Sequence, residues 1–293
     1  RAADAEAYAD RIAALATAIA HATGMLSGPW LDSKRLYASG DGLGALERGV
    51  LALPCVAERA DGLDTAALVA RLGIALPAGH EPPEWPAFLR IPLPLAAPAA
   101  GIAALRAAVA TEIARTGIEI VAVAARMVTP ATFNALLGEG LNKADILSRT
   151  TLDLAASLRA AAPSEDAFVW CDRHGGRKAY AALVGRHFDS GLVRVLEEGP
   201  GRSRYRCGGA GGAVTEVDFT VGGEARVPVA LASMTAKYLR ELAMHAFNAH
   251  WCARVGGLRP TAGYPVDARR WFAEAAATIE AEGVSRDEIW RTS

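Results

Sequence analysis

Apolar residues recur at helical spacing over residues 5–26, an alanine-rich pattern interrupted by polar Arg11, His21 and Thr23, and predict an amphipathic helix. Ser27-Gly28-Pro29 ends it. The same period predicts helices over 43–57, 64–72, 102–116, 141–158 and 178–188, with Asp64 as the cap of the second and Asn142 near the start of the fourth. Strands are predicted at 118–128, 167–171, 192–196 and 214–221; the second is a buried apolar run that ends directly in Asp172. Seven prolines between Pro77 and Pro98 read as an extended surface connection, an insertion over 77–100, and the glycine- and arginine-rich stretch 199–212 reads as a mobile loop. A helix is expected to begin near Ser233 and to open a helical C-terminal part, 233–293. Strands mixed with helices give an α/β class, read as a single domain over 1–293 with an N-terminal helical segment at 1–30.

Composition narrows this picture. The chain has 293 residues, and 52% apolar content suffices for a sizeable core. A net charge of −1 excludes a global basic field, so any nucleic-acid contact must come from a local patch. Cys55, Cys171, Cys207 and Cys252 are scattered without metal-finger spacing and read as free thiols of a reducing, cytoplasmic compartment. No apolar run is long enough for a bilayer span, and no charged-then-apolar leader is present.

The candidate chemistry lies in the second half. Asp172 follows an apolar strand, a position suited to metal or substrate, although a salt-bridged loop aspartate is equally compatible. His174 reads more readily as a solvated or hydrogen-bonded loop histidine than as a ligand, and Gly175-Gly176 is too short for a phosphate loop. Glu224 follows a strand-like segment and precedes a proline-containing link, then Ser233, a candidate helix cap. Lys237 and Arg240 lie three apart and so share a helix face, where they could meet a phosphate or remain solvated, with Glu241 as the ion-pair partner of Lys237. Tyr264, at the tip of a Gly/Pro turn ending in Asp267, could stack on a sugar or base, or pack on the body. Asp32-Ser33-Lys34 offers a hydroxyl and an amine suited to a phosphate. Glu197 and Glu198 lie at a strand end and read as surface acids.

Together these segments resemble the ribonuclease HII family. The run Ala232-Ser233-Met234-Thr235-Ala236-Lys237-Tyr238-Leu239-Arg240-Glu241-Leu242-Ala243-Met244 is similar to that family's Ala-Ser-x-x-Ala-Lys-x-x-Arg-Asp-x-x-Met. Glu224 stands where the family has a metal-binding aspartate, with a link one residue shorter. Gly263-Tyr264-Pro265-x-Asp267 resembles the archaeal-type Gly-Tyr-Pro-Ser-Asp turn, and Asp32-Ser33-Lys34-Arg35-Leu36 resembles Asp-Ser-Lys-x-Leu. Asn142 and its helix resemble an Asn-containing helix of the family, and Asp172 falls at another metal-binding aspartate. The Asp-Arg-His-Gly-Gly-Arg wording and the Ser203-Arg204-Tyr205 segment depart from ordinary members and mark a divergent branch.

The resemblance implies a ribonuclease H-like mixed sheet flanked by helices and hydrolysis of RNA in RNA–DNA hybrids, or at a ribonucleotide embedded in duplex DNA. Two Mg²⁺ or Mn²⁺ ions about 4 Å apart would act there. It assigns Asp172 and Glu224 to metal and catalysis, Ser33, Lys34, Arg177, Ser233, Lys237 and Arg240 to substrate phosphates, and Tyr264 to the sugar, in a monomer. The family's first, central strand with Asp-Glu-Ala-Gly is not found before Asp32, so two of four expected carboxylates are missing. An N-terminally incomplete piece, in keeping with Arg1, is favoured over loss of the active centre, and the chain as it stands is expected to be inactive. The alternatives are a non-catalytic nucleic-acid-binding relative and another metal-dependent phosphodiesterase on the same fold.

Overall fold

A computed structural model describes residues 5–25, 29–33, 36, 41–57, 62–188, 192–208 and 212–292. Lys34 and Arg35 lie outside the described residues. The chain is mixed α/β. Helices α1 (Ala5–Thr23), α2 (Gly42–Leu51), α3 (Thr65–Arg71), α4 (Trp85–Phe88) and α5 (Ala99–Thr116) come first, with a two-residue ladder between β1 (Leu63–Asp64) and β2 (Pro92–Leu93). Helices α6 (Pro130–Gly138) and α7 (Lys143–Ala160) lead into β3 (Ala167–Asp172), α8 (Ala181–His187), β4 (Val193–Glu198), β5 (Arg202–Gly208) and β6 (Val214–Thr220). A 3-10 turn (Gly223–Ala225) then leads into α9 (Val227–Cys252), followed by α10 (Pro265–Ala281) and α11 (Arg286–Ile289).

Local signals explain the helix starts. The Asp64 carboxylate accepts the Ala67 amide at 2.8 Å, and Asn142 with Asp145 forms a reciprocal capping box on α7. The start of α9 differs from the expectation at Ser233. Pro228 occupies its first turn, where a missing amide costs nothing, so the apparent link is already helix and Ser233 stands in its second turn.

The sheet runs β3-β6-β5-β4, with β3 parallel to β6 and the remaining pairs antiparallel. One face is apolar: Val217, Phe219, Tyr205 and Cys207 pack with Leu152 of α7 and Val184 of α8. On the other face Phe168, Trp170 and Asp172 of β3 lie beside Glu216, Asp218 and Thr220 of β6, then Arg202, Arg204 and Arg206 of β5. Within the expected loop at 199–212, Arg202–Gly208 is therefore a sheet strand, whose Ser203, Tyr205 and Cys207 alternate inward. β3, expected to be buried, is an edge strand. Its outer side has no ladder partner among the described residues, and most of it is only half-buried.

Two further segments depart from the sequence reading. Residues 118–128 lie against the main core through Ile118, Ile120, Val123 and Met127, but form no ladder among the described residues; the Ala125 amide bonds the Leu72 carbonyl. The proline-rich stretch is core structure, not a surface insertion. Phe88, Ile91, Leu93 and Ala97 are buried, and the amides of Leu95, Ala96 and Ala97 each donate at 2.7 Å to the fully buried Glu47 carboxylate, which also accepts the Tyr238 hydroxyl at 2.7 Å. Helix α9 buries Met234, Tyr238, Leu239 and Leu242 in this core, and its far end packs Trp251 against Trp271. Among the described residues no helix is long and apolar enough to cross a membrane.

Candidate functional site

The core residues of α9 lie on one side, and the residues singled out from sequence lie on the other. At 100° per residue, Ser233, Lys237, Arg240 and Met244 fall within about 60° of one another, forming a stripe roughly 16 Å long that faces away from Tyr238 and Leu242.

At the head of the stripe the turn after β6 brings two carboxylates to neighbouring places. The Gly223 amide donates to Asp172 Oδ1 at 3.0 Å. The backbones approach so closely that a Cβ at Gly223 would lie 3.1 Å from Asp172 Cα and from the Cys171 carbonyl oxygen, so a side chain there would push the two backbones a few tenths of an ångström apart. Gly222 turns the chain at φ 70°. Glu224 thereby faces α9, where its Oε1 accepts the Ser233 hydroxyl, and Ser233 Oγ lies 2.9 Å from Ser33 Oγ. Glu224, Ser233 and Ser33 are thus one hydrogen-bonded group, which Asp172 joins only through the Gly223 backbone amide. Beside it a cavity of about 670 Å³ opens between α1 and the turn, lined in part by Thr17, His21, Trp30, Asp32, Glu224 and Val227.

Further along the stripe, Glu241 Oε1 holds both Lys237 Nζ (2.8 Å) and Arg240 Nη1 (2.9 Å). Two cations thus share one carboxylate oxygen. Arg240 Nη2 also donates to the Ala262 carbonyl at 2.6 Å, and its guanidinium carbon lies 5.8 Å from the Tyr264 ring centroid. The Tyr264 turn is fixed from within. Thr261 Oγ1 and Arg270 donate to the Asp267 carboxylate, as does the Ala262 amide, and together they pull its pKa down to about 2. Tyr264 itself is 62% exposed rather than packed on the body.

Two residues near Asp172 are used differently. Arg177 pairs with Asp145 at the start of α7 and lies 5.9 Å from the Tyr180 ring centroid; neither partner belongs to the α9 stripe. His174 is buried at 5% exposure, bonded through Nδ1 to Ser148 Oγ at 2.9 Å. Burial above all lowers its pKa to about 4, aided by Arg177 and opposed by Asp172. The neutral ring is favoured in the folded state. Its contribution to stability is therefore complete above pH 6.5, and it falls by about 3 kcal/mol as the pH drops from 6.5 through 4. An NMR titration of this imidazole should give a midpoint near 4; a midpoint at or above 6 would show a solvated side chain.

The sequence reading missed one cluster altogether. Asp218, on the polar sheet face, accepts Arg202 Nε (3.1 and 3.0 Å) and Nη2 (2.6 Å), Thr220 Oγ1 (2.8 Å) and Arg226 Nη1 (2.9 Å). Burial alone would raise its carboxyl, but these bonds outweigh burial and hold it below the ordinary range. The alternation of Arg202, Arg204 and Arg206 against Glu216 and Asp218 was the available signal.

These donors do not make a two-metal centre. Among the described residues no group of three or more His, Cys, Asp or Glu side chains is placed to hold a metal ion. Asp172 and Glu224 are half of the expected carboxylates, and Asp218 on the same sheet face is committed to two guanidinium groups. No protein-family model, curated protein or solved structure matches this chain.

Proposed function

We propose that this chain carries the substrate-holding part of a ribonuclease HII-like nuclease and binds RNA–DNA hybrids or ribonucleotide-containing duplex DNA along the outer face of α9. The supporting observation is the stripe itself. Hydroxyl, lysine and arginine share one face of α9, with the exposed Tyr264 of the following turn beside Arg240 and the Glu224 carboxylate at the Ser233 end. Lys237 and Arg240 would meet backbone phosphates, contacts that position a duplex without reading its sequence, and Tyr264 would stack on a sugar or base. Arg177, committed to Asp145, has no part in this reading.

Hydrolysis on this reading needs more carboxylates than the chain brings together. The family's first strand is central to its sheet, whereas β3 and β6 pair directly here and the open edge is the outer side of β3. Incubating this chain with a labelled hybrid and Mg²⁺ or Mn²⁺ should show binding without cleavage. Cleavage that is lost in Asp172→Asn would overturn the inactive assignment.

A further inference from the structure

Two guanidinium groups converge on a single exposed carboxylate oxygen next to the candidate site. Arg202 Nη2 and Arg226 Nη2 approach Glu6 Oε1 at 3.0 and 3.1 Å, across 196 and 220 residues of chain. Both guanidinium groups are fixed from behind by the buried Asp218, and Arg226 also lies 5.5 Å from the Trp170 ring centroid. Arg226 is the N-cap residue of the 26-residue α9, so the helix dipole adds to the positive potential there. It stands two residues after Glu224. The back of this fork is buried and the front is open to solvent: Glu6 is on the first turn of α1, and its side chain is 58% exposed.

We propose that Arg202 and Arg226 form a phosphate-binding fork, and that Glu6 occupies it in the free protein as a carboxylate stand-in. Taking the ligand to be a backbone phosphate of the bound duplex rests on the function proposed above; the fork does not. A phosphodiester carries the single negative charge that Glu6 supplies and has planar pairs of oxygens suited to guanidinium donors. Glu6 makes two ion pairs, and pairs of this partly exposed kind are worth about 1 kcal/mol each, together roughly a thirtyfold change in affinity, within reach of a phosphate that meets both guanidinium groups. Asp218 would stay in place, because separating it from two arginines would strand a buried charge. The first turn of α1, which also sets Tyr8 against Phe168, would lift when the fork is filled.

The test compares Glu6→Gln with Asp10→Asn, which removes the same charge elsewhere on α1, in titrations with a hybrid duplex and with inorganic phosphate. Glu6→Gln is expected to tighten hybrid binding up to about thirtyfold and Asp10→Asn to leave it within error. Adding Arg226→Lys to Glu6→Gln should abolish the gain, because a point charge replaces the planar fork while Asp218 keeps a cation. If Glu6→Gln and Asp10→Asn behave alike toward both ligands, the fork is refuted, while α9 variants that still weaken hybrid binding would leave the proposed function standing. If no variant binds hybrid but Glu6→Gln binds inorganic phosphate more tightly than Asp10→Asn does, the fork is upheld and the hybrid substrate is refuted.

Discussion

Glu47→Ala is expected to lower the unfolding free energy by about 3–5 kcal/mol, the largest single effect foreseen for this molecule. The side chain is fully buried, and its carboxylate accepts three successive amides, Leu95, Ala96 and Ala97, together with the Tyr238 hydroxyl. Alanine would leave four donors without an acceptor, each costing about 1–3 kcal/mol before relaxation. Those donors tie the proline-rich stretch to α2 and α9, so the loss should spread through the main helical core. Urea unfolding checks this: the midpoint should fall at an unchanged slope. A loss below 1 kcal/mol would mean that the proline-rich stretch is held by its apolar contacts alone.

Tyr264→Ala is expected to weaken hybrid binding by about 1–3 kcal/mol, roughly 5- to 150-fold, with little change in thermal stability. The ring is mostly exposed, so truncation removes little core, while its neighbour Arg240 stays bound to Glu241 and the Ala262 carbonyl. Tyr264→Phe keeps the stacking face and should retain most of the affinity. Equal losses for phenylalanine and alanine would assign the effect to the hydroxyl and contradict stacking.

What the sequence disclosed and what it hid divide along the range of the interactions. Helix starts were legible because their causes are local: Asp64 meets an amide three residues on, and Asn142 and Asp145 cap each other. Strands depend on partners far away. Residues 118–128 have the apolar pattern of a strand but meet no ladder among the described residues, whereas 202–208, masked by glycine and arginine, gains ladders on both sides and lies within the sheet. The proline-rich stretch read as surface because prolines lack donors, yet the neighbouring donors were needed to satisfy one buried carboxylate. The α9 stripe was legible from its helical period, which also set the expected Lys237–Glu241 pair. The Glu6, Arg202, Asp218 and Arg226 cluster was not, since its members meet across 196 and 220 residues of chain.

The central claim is that the outer face of α9 holds nucleic-acid phosphates, and fluorescence anisotropy of a labelled hybrid over a salt series tests it most directly. Affinity should fall linearly on logarithmic axes, and the slope should shrink by about 0.9 for each phosphate contact removed, hence by nearly 2 in Lys237→Ala/Arg240→Ala. Absence of binding at low salt, or a slope that the double variant leaves unchanged, would contradict the account.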